Sequence, residues 1–433
     1  MRGVMILGGG LAGLGCASEL PGCRVFEASP HPGGRAYSFQ LGGVGFDQGA
    51  HISHSRDEGF IARTDHAAGA VVRTSRSTVR NFWSGRWGTY PIQNNLHELP
   101  LADRVQALTD LVVAHAQAPA STTPAHYRAW CLAQYGEYLT RHFYDVFTSK
   151  YWRVKSEDLA TDWLAGRLLP SMLPRIIQGA FGPPEESQAV FAQFRYPAQG
   201  GFYRFFEALY SSIDLHLNER AVEIDVRRKR VEFASGRSEG YEQLVSTIPL
   251  PTLVGLIKDA PVEVRESAAR LRATRLLCVN LIVNRPRITD AHWFYVYDPE
   301  LEPSRVSIPS NLAPQSVVEG QSAIQGEVFR LPEEPLAVDA LVNKSIADLG
   351  HLLGFHPNEV VQAGHVLVPQ AYIVSDHHRA AAVECILTWL AQVEITSTGL
   401  YGKWKYVWSD QAFHQGQVVG QALRDRNPGR LAG

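Results

Sequence analysis

Val4-Met5-Ile6-Leu7 is an uninterrupted apolar run of strand length, and the absence of alternation predicts a strand buried on both faces. It runs directly into Gly8-Gly9-Gly10-Leu11-Ala12-Gly13. Leu14 to Leu20 then reads as a helix whose small residues Gly15 and Ala17 face a sheet, and Pro21-Gly22 ends it. Cys23 to Phe26 reads as a second strand that delivers Glu27, so the chain opens with a parallel α/β unit. Further along, Leu101 to Leu173 carries a helical pattern, which predicts an inserted, mostly α-helical subdomain. Tyr203 to Ile213 reads as a helix, Leu215 to Phe233 as a hairpin turning at Arg228-Lys229-Arg230, and Leu244 to Pro249 as one more strand of the nucleotide unit. Arg275 to Val283, His292 to Tyr297 and Ala323 to Arg330 are strand-like, and Gly399 to Leu423 holds turn glycines before a helix from about Gln411.

The opening unit has a chemical meaning. Gly8 permits a tight turn, Gly10 lets backbone amides approach a pyrophosphate, Gly13 allows close helix packing, and the helix N-terminus favours negative charge. Glu27 lies 19 residues after Gly8, close to the roughly 20 at which a carboxylate accepts hydrogen bonds from an adenosine ribose. Strand, glycines, helix, strand and acid together predict dinucleotide binding.

Composition narrows the rest. A chain of 433 residues is two or three structural units, and 45% hydrophobic residues can bury a large core. Lys plus Arg number 41 and Asp plus Glu 43, a net charge of −2, which argues against a nucleic-acid partner. No apolar run reaches the roughly 18–20 residues of a membrane span, and nothing at the N-terminus reads as a secretory signal. The five cysteines are scattered and form no CxxC pair, so neither disulfides nor zinc is expected, and the expected compartment is cytoplasmic. His377-His378 has no third ligand at metal-site spacing, so no metal is expected.

The residues after Glu27 decide which dinucleotide. Gly33-Gly34-Arg35, then Phe46-Asp47-Gln48-Gly49-Ala50-His51, resembles the flavin superfamily of amine oxidases, protoporphyrinogen oxidase, carotenoid desaturases and UDP-galactopyranose mutase. The resemblance implies FAD rather than NAD. Gly33 and Gly34 would bring the backbone to the flavin side of the pyrophosphate, and Arg35 would add a fixed cation. The implied fold is α/β: a Rossmann-like FAD-binding domain of the GR2 flavoprotein type, with an inserted helical subdomain and a substrate-domain antiparallel sheet. The expected segments are 1–75, 196–252 and 366–433 for the FAD-binding domain, 76–195 for the mainly helical insert and 253–365 for the substrate-domain sheet.

Within the superfamily, several stretches resemble the mutase. They are Gly49-Ala50-His51-Ile52-Ser53-His54-Ser55, Thr89 to Asn95, Phe143 to Arg167, Ser304-Arg305-Val306, Ala371 to Asp376 and Gly399 to Asp410, in the same order and spanning almost the whole chain. The resemblance implies a cofactor site of Gly8, Gly10, Gly13, Glu27, Gly34, Arg35, His51, Val222, Gly399 and Asp410, with Val222 near the adenine. It implies a substrate site of Arg167, Arg305, Tyr372 and Tyr406, in which two arginines grip a nucleotide-sugar diphosphate. His51 is the candidate catalytic side chain beside the flavin. In the family's reaction the reduced flavin N5 attacks the anomeric carbon for pyranose/furanose interconversion, with no net redox.

Two positions depart from the mutase pattern. Leu400 stands where the family has an arginine, and Arg35 where prokaryotic mutases often have asparagine. An FAD-dependent oxidase or desaturase of the amine oxidase or protoporphyrinogen oxidase type is therefore the alternative. Trp152, Trp163, Trp404 and Trp408 read first as core aromatics, and Arg167 equally as a helix C-cap.

Overall fold

The computed structural model describes residues 3–69, 71–117, 124–164, 168, 171–184 and 192–426. Its first layer is a five-stranded parallel sheet in the order Ile395–Ser397, Gln243–Ser246, Val4–Leu7, Arg24–Phe26, Asp214–His216. Val4–Leu7 is central and buried along its length, as its apolar run requires. Chain order reverses on its two sides, and a parallel sheet opens a ligand crevice at such a switch point, beyond the strand's carboxyl end. Gly8 sits there.

The helix Leu11–Ser18 covers one face of this sheet, and seven of its eight residues are buried. Such burial is possible because the C-terminal helix Ser409–Asp425 lies against its other side with glycines at the crossing. A Cβ on Gly15 would strike the Phe413 carbonyl, one on Gly416 the Ala12 carbonyl, and one on Gly420 would stand 2.6 Å from the Cys16 carbonyl. On the opposite face, Leu250–Leu256, Val262–Arg270 and Arg379–Gln392 join Met5, Leu7, Leu244 and Ile395 in one apolar cluster. Each fully buried large aliphatic there contributes about 1.5–3 kcal/mol. Val262–Arg270 thus packs with the nucleotide sheet, although it follows residue 252.

The second sheet has seven strands in the order Val360–Val368, Arg275–Val283, Ser322–Arg330, Arg305–Ser307, Trp293–Val296, Val79–Trp83, Arg86–Thr89. Every neighbouring pair is antiparallel except Trp293–Val296 with Val79–Trp83. Its register sets Glu327 opposite both Arg305 and Cys278. The helical layer comprises Leu101–Gln117, Tyr127–Leu139, a π turn at Thr140–Tyr144, Asp145–Tyr151 and Leu173–Phe181. Gly136, at φ 76° inside Tyr127–Leu139, lets that helix meet the backbone of Asp110, where a Cβ would stand 2.5 Å from the carbonyl carbon.

Two local expectations fail for non-local reasons. Tyr203 to Ile213 is two 3-10 segments, Phe202–Phe205 and Glu207–Ser212, broken at Phe206 (φ −123°), because Phe202, Phe205 and Phe206 must all be buried. Leu215 belongs to the edge strand of the parallel sheet, so the hairpin is the shorter Ala221–Asp225 with Arg230–Phe233. Its tip is solvated, with the Arg227 and Arg228 side chains 82% and 81% exposed.

The glycine crossing is testable by thermal unfolding. Gly416→Ala should destabilise by about 1–3 kcal/mol through overpacking. Gly255→Ala, in Leu250–Leu256 with nothing within 4 Å of the added carbon, should stabilise by about 0.5–1 kcal/mol. Equal effects would refute the packing argument.

Candidate active site

The crevice at Gly8 opens into a cavity of about 1160 Å³ that runs from the parallel sheet to the seven-stranded sheet. Gly8 turns at φ 104°, and a Cβ there would strike the Thr247 hydroxyl. Gly10 precedes Leu11–Ser18 without a side-chain cap, so the amides of the first helical turn are left for a ligand, and Gly10, Leu11 and Ala12 line the cavity. Gly13 packs beneath the Gly8 carbonyl and stays off the wall. The Glu27 carboxylate accepts hydrogen bonds from the amides of Gly9 (2.7 Å) and Ser29 (2.8 Å), which fix it at the cavity edge.

A second glycine turn closes on the first. Gly33 donates its amide to the Gly9 carbonyl at 2.9 Å. Gly34, at φ 53°, lies so close that a Cβ would stand 3.1 Å from the Gly10 Cα. Arg35 donates to the Gln48 carbonyl (2.8 Å) and side-chain oxygen (3.3 Å), and Gln48 donates back to the Gly34 carbonyl (2.8 Å). Among the described residues no carboxylate forms an ion pair with Arg35, whose hydrogen-bond partners are the two Gln48 oxygens, and it lines the cavity. Two facing glycine turns, a helix N-terminus and this cation make a cradle that fits the pyrophosphate of a dinucleotide.

His51 stands at the far end of that cradle. Its Nδ1 lies 2.8 Å from the Gly49 carbonyl. Burial pushes its pKa down to about 4, with the Arg35 and Arg305 charges acting in the same direction and the Gly49 carbonyl against them. The ring is therefore neutral at neutral pH. Because a carbonyl only accepts, Nδ1 carries the proton and Nε2 is a bare acceptor. The turn before it is anchored by Asp47, which accepts hydrogen bonds from Ser38 Oγ (2.5 Å), Tyr196 (2.7 Å) and the Phe202 amide (2.9 Å). Burial raises Asp47 to about 6 against those three bonds.

Beyond His51 the cavity becomes an aromatic chamber. Arg305 projects into it from Arg305–Ser307, but its fork is taken. Nε and Nη2 donate to the two Glu327 oxygens at 2.8 and 2.7 Å, Nη2 lies 3.4 Å from the Tyr372 hydroxyl, and the guanidinium sits 5.7 Å over the Tyr151 ring. Its charge is thus balanced, and Nη1 is what it can offer a ligand. Tyr372 stacks on Tyr406 at 5.7 Å, and both line the chamber.

The cavity wall thus gathers Gly8, Gly10, Glu27, Gly34, Arg35, His51, Val222, Gly399, Arg305, Tyr372 and Tyr406. Asp410 is not on it: its carboxylate accepts from Ser55 Oγ (2.6 Å) and the Gln411 amide (2.8 Å), while its neighbour Ser409 lines the cavity. Arg167 lies outside the described residues. Leu400 lines the cavity and also packs against the apolar cluster under the parallel sheet. Sequence reasoning missed Tyr90, Tyr151, Tyr295 and Tyr297 on the wall, and Glu327 behind it. Tyr295 and Tyr297 did carry a signal, being two apart in an expected strand and so on one face. Of the four tryptophans, Trp152, Trp163 and Trp408 line the cavity, whereas Trp404 is buried elsewhere. Among the described residues no group of three or more His, Cys, Asp or Glu could hold a metal, and no helix is long and apolar enough to cross a membrane.

Comparison with known proteins agrees with this anatomy. Residues 6–63 match the NAD(P)-binding Rossmann-like domain family. Among solved structures, reduced UDP-galactopyranose mutase superposes with a TM-score of 0.91 at 25% identity, covering 99% of this chain and 98% of that one. A protein provisionally assigned as a protoporphyrinogen oxidase from Exiguobacterium sp. gives 0.76 at 14% identity, covering 98% of each chain. Putrescine oxidase gives 0.64 at 14%, again covering 98% of each. From its first strand to its last helix, the chain has the fold of a UDP-galactopyranose mutase-like flavoprotein.

Proposed function

We propose that the protein is an FAD-dependent nucleotide-sugar mutase that interconverts pyranose and furanose rings. The observation that carries this reading is the continuity of one cavity from a dinucleotide cradle to a chamber holding Arg305, Tyr372 and Tyr406, in a chain that shares its whole fold with UDP-galactopyranose mutase. The second glycine turn and Arg35, held by Gln48 oxygens, favour FAD over a nicotinamide dinucleotide, since the cradle continues past the pyrophosphate toward His51. Bound there in reduced form, FAD would supply the nucleophile at the anomeric carbon.

The chain's own residues do the rest. Glu27 takes the adenosine ribose, and the amides after Gly10 together with Arg35 take the pyrophosphate. Neutral His51 offers an acceptor at Nε2 and adds no positive charge beside the flavin. Arg305 Nη1 and the Tyr372 hydroxyl are donors for a substrate phosphate, and the aromatic walls exclude water and give the nucleobase apolar faces. Arg167 would complete the diphosphate grip.

One observation favours the alternative, an FAD-dependent oxidase or desaturase. Glu327 cancels the Arg305 charge, and much of the described chamber wall is aromatic, an environment that also suits an apolar substrate. UDP binding separates the two readings.

UDP titrated into FAD-loaded protein, followed by tryptophan fluorescence, should saturate. Arg305→Lys, which keeps the charge but loses the planar fork, should weaken binding about tenfold. An oxidase or desaturase with an apolar substrate would ignore UDP.

The pH dependence of turnover tests His51. A group whose folded pKa is depressed to about 4 is neutral throughout pH 5–8, so the rate should show no limb near pH 6.5 that His51→Asn abolishes. Such a limb would show that the histidine titrates normally and is solvated.

A further inference from the structure

Glu327 is fully buried in the middle of Ser322–Arg330 and lies behind the cavity wall. Its Oε1 accepts two hydrogen bonds at 2.8 Å, one from the Ala50 amide and one from Arg305 Nε, and its Oε2 accepts from Arg305 Nη2 at 2.7 Å. Gly49, at φ 84°, lies beside it, and a Cβ there would be in ordinary van der Waals contact with the Glu327 carboxyl carbon at 3.5 Å. One carboxylate thus holds both the turn that carries His51 and the arginine that faces the substrate.

A buried ion pair is poor value as a stabiliser, since well-packed apolar residues of similar size are often as stable. Its usefulness lies in geometry. The Arg305 fork can point its Nη1 edge into the chamber only while both Glu327 oxygens hold the other edge. The Ala50 amide, whose neighbour His51 faces the cofactor site, is fixed by the same oxygen.

We propose that Glu327 is a positioning residue that couples the cofactor-facing turn to the substrate-facing arginine. The role rests on the nucleotide-sugar reading for its substrate half and on the cofactor cradle alone for the other half. Its two duties are chemically separable. Glu327→Gln keeps a carbonyl oxygen for Ala50 and Arg305 Nε, but sets an NH2 group against Arg305 Nη2, donor against donor, and so displaces the fork. Glu327→Ala removes both anchors.

The test is a pair of dissociation constants, for FAD with apoprotein and for UDP with FAD-loaded protein. Glu327→Gln should leave FAD binding within about twofold of wild type and weaken UDP about tenfold, the loss of the held fork outweighing the attraction of an Arg305 charge that is no longer balanced. Glu327→Ala should weaken both by about tenfold or more. The double variant Glu327→Gln/Arg305→Lys should bind UDP no more weakly than Arg305→Lys alone, because the two changes remove the same interaction. Additive losses in the double variant would overturn the proposal. So would equal losses of FAD and UDP in Glu327→Gln, or unchanged FAD binding in Glu327→Ala. If Glu327→Ala does not fold, hydrogen exchange of residues 45–55 in Glu327→Gln decides the cofactor half: protection equal to wild type is expected, and lost protection contradicts it. If wild type binds FAD but no UDP, the nucleotide-sugar reading falls, and the FAD comparison still decides whether Glu327 anchors the turn.

Discussion

The whole arrangement depends on how closely the first helix can be pressed between the parallel sheet and the last helix. Gly15, Gly416 and Gly420 bring Leu11–Ser18 and Ser409–Asp425 together at backbone distance. This crossing fixes the end of the first helix at the carboxyl edge of Val4–Leu7. Gly399, where a Cβ would stand 2.6 Å from the Ala12 side chain, makes the same demand on the segment that enters the last helix. The crevice, the uncapped amides and the C-terminal part of the cavity wall all follow from that one packing constraint.

Charge is distributed along the cavity with a clear division. At the dinucleotide end, Arg35 is held by amide oxygens and keeps its full charge for an anion. At the chamber end, Arg305 is neutralised by Glu327 and acts through directed hydrogen bonds. His51 is neutral chiefly because it is buried, with the Arg35 charge and, more weakly, that of Arg305 acting in the same direction. A site built this way offers a charged cradle at one end and shape, stacking and directed donors at the other.

How much of this was legible in the sequence depends on how local each determinant is. The opening unit from Val4 to Glu27 was readable because strand, turn glycines, helix and acid are contiguous and each has its own physical requirement. Asp214–His216 was not, because its pairing with Arg24–Phe26 is a long-range contact that leaves little trace in three residues. Tyr203 to Ile213 read as a single helix, and burial of Phe202, Phe205 and Phe206 selected tighter 3-10 turns instead. Arg305 was found by resemblance, but the register that puts Glu327 opposite it could not be read from either strand alone. The hint was there in Gln325 and Glu327, two polar residues on one face in the middle of a strand that is buried almost throughout. Asp410 was expected in the cofactor site and instead ties Ser55 to the start of the last helix.

The central claim, that this cavity converts one ring form of a nucleotide sugar into the other, is tested most directly by chromatography of UDP-galactopyranose incubated anaerobically with the FAD-loaded protein. Dithionite-reduced and oxidised samples run in parallel. The account predicts a furanose isomer from the reduced protein alone, with no reductant consumed in proportion to product. Absence of any isomer from a panel of nucleotide sugars, together with oxygen uptake on an amine or apolar substrate, would contradict it.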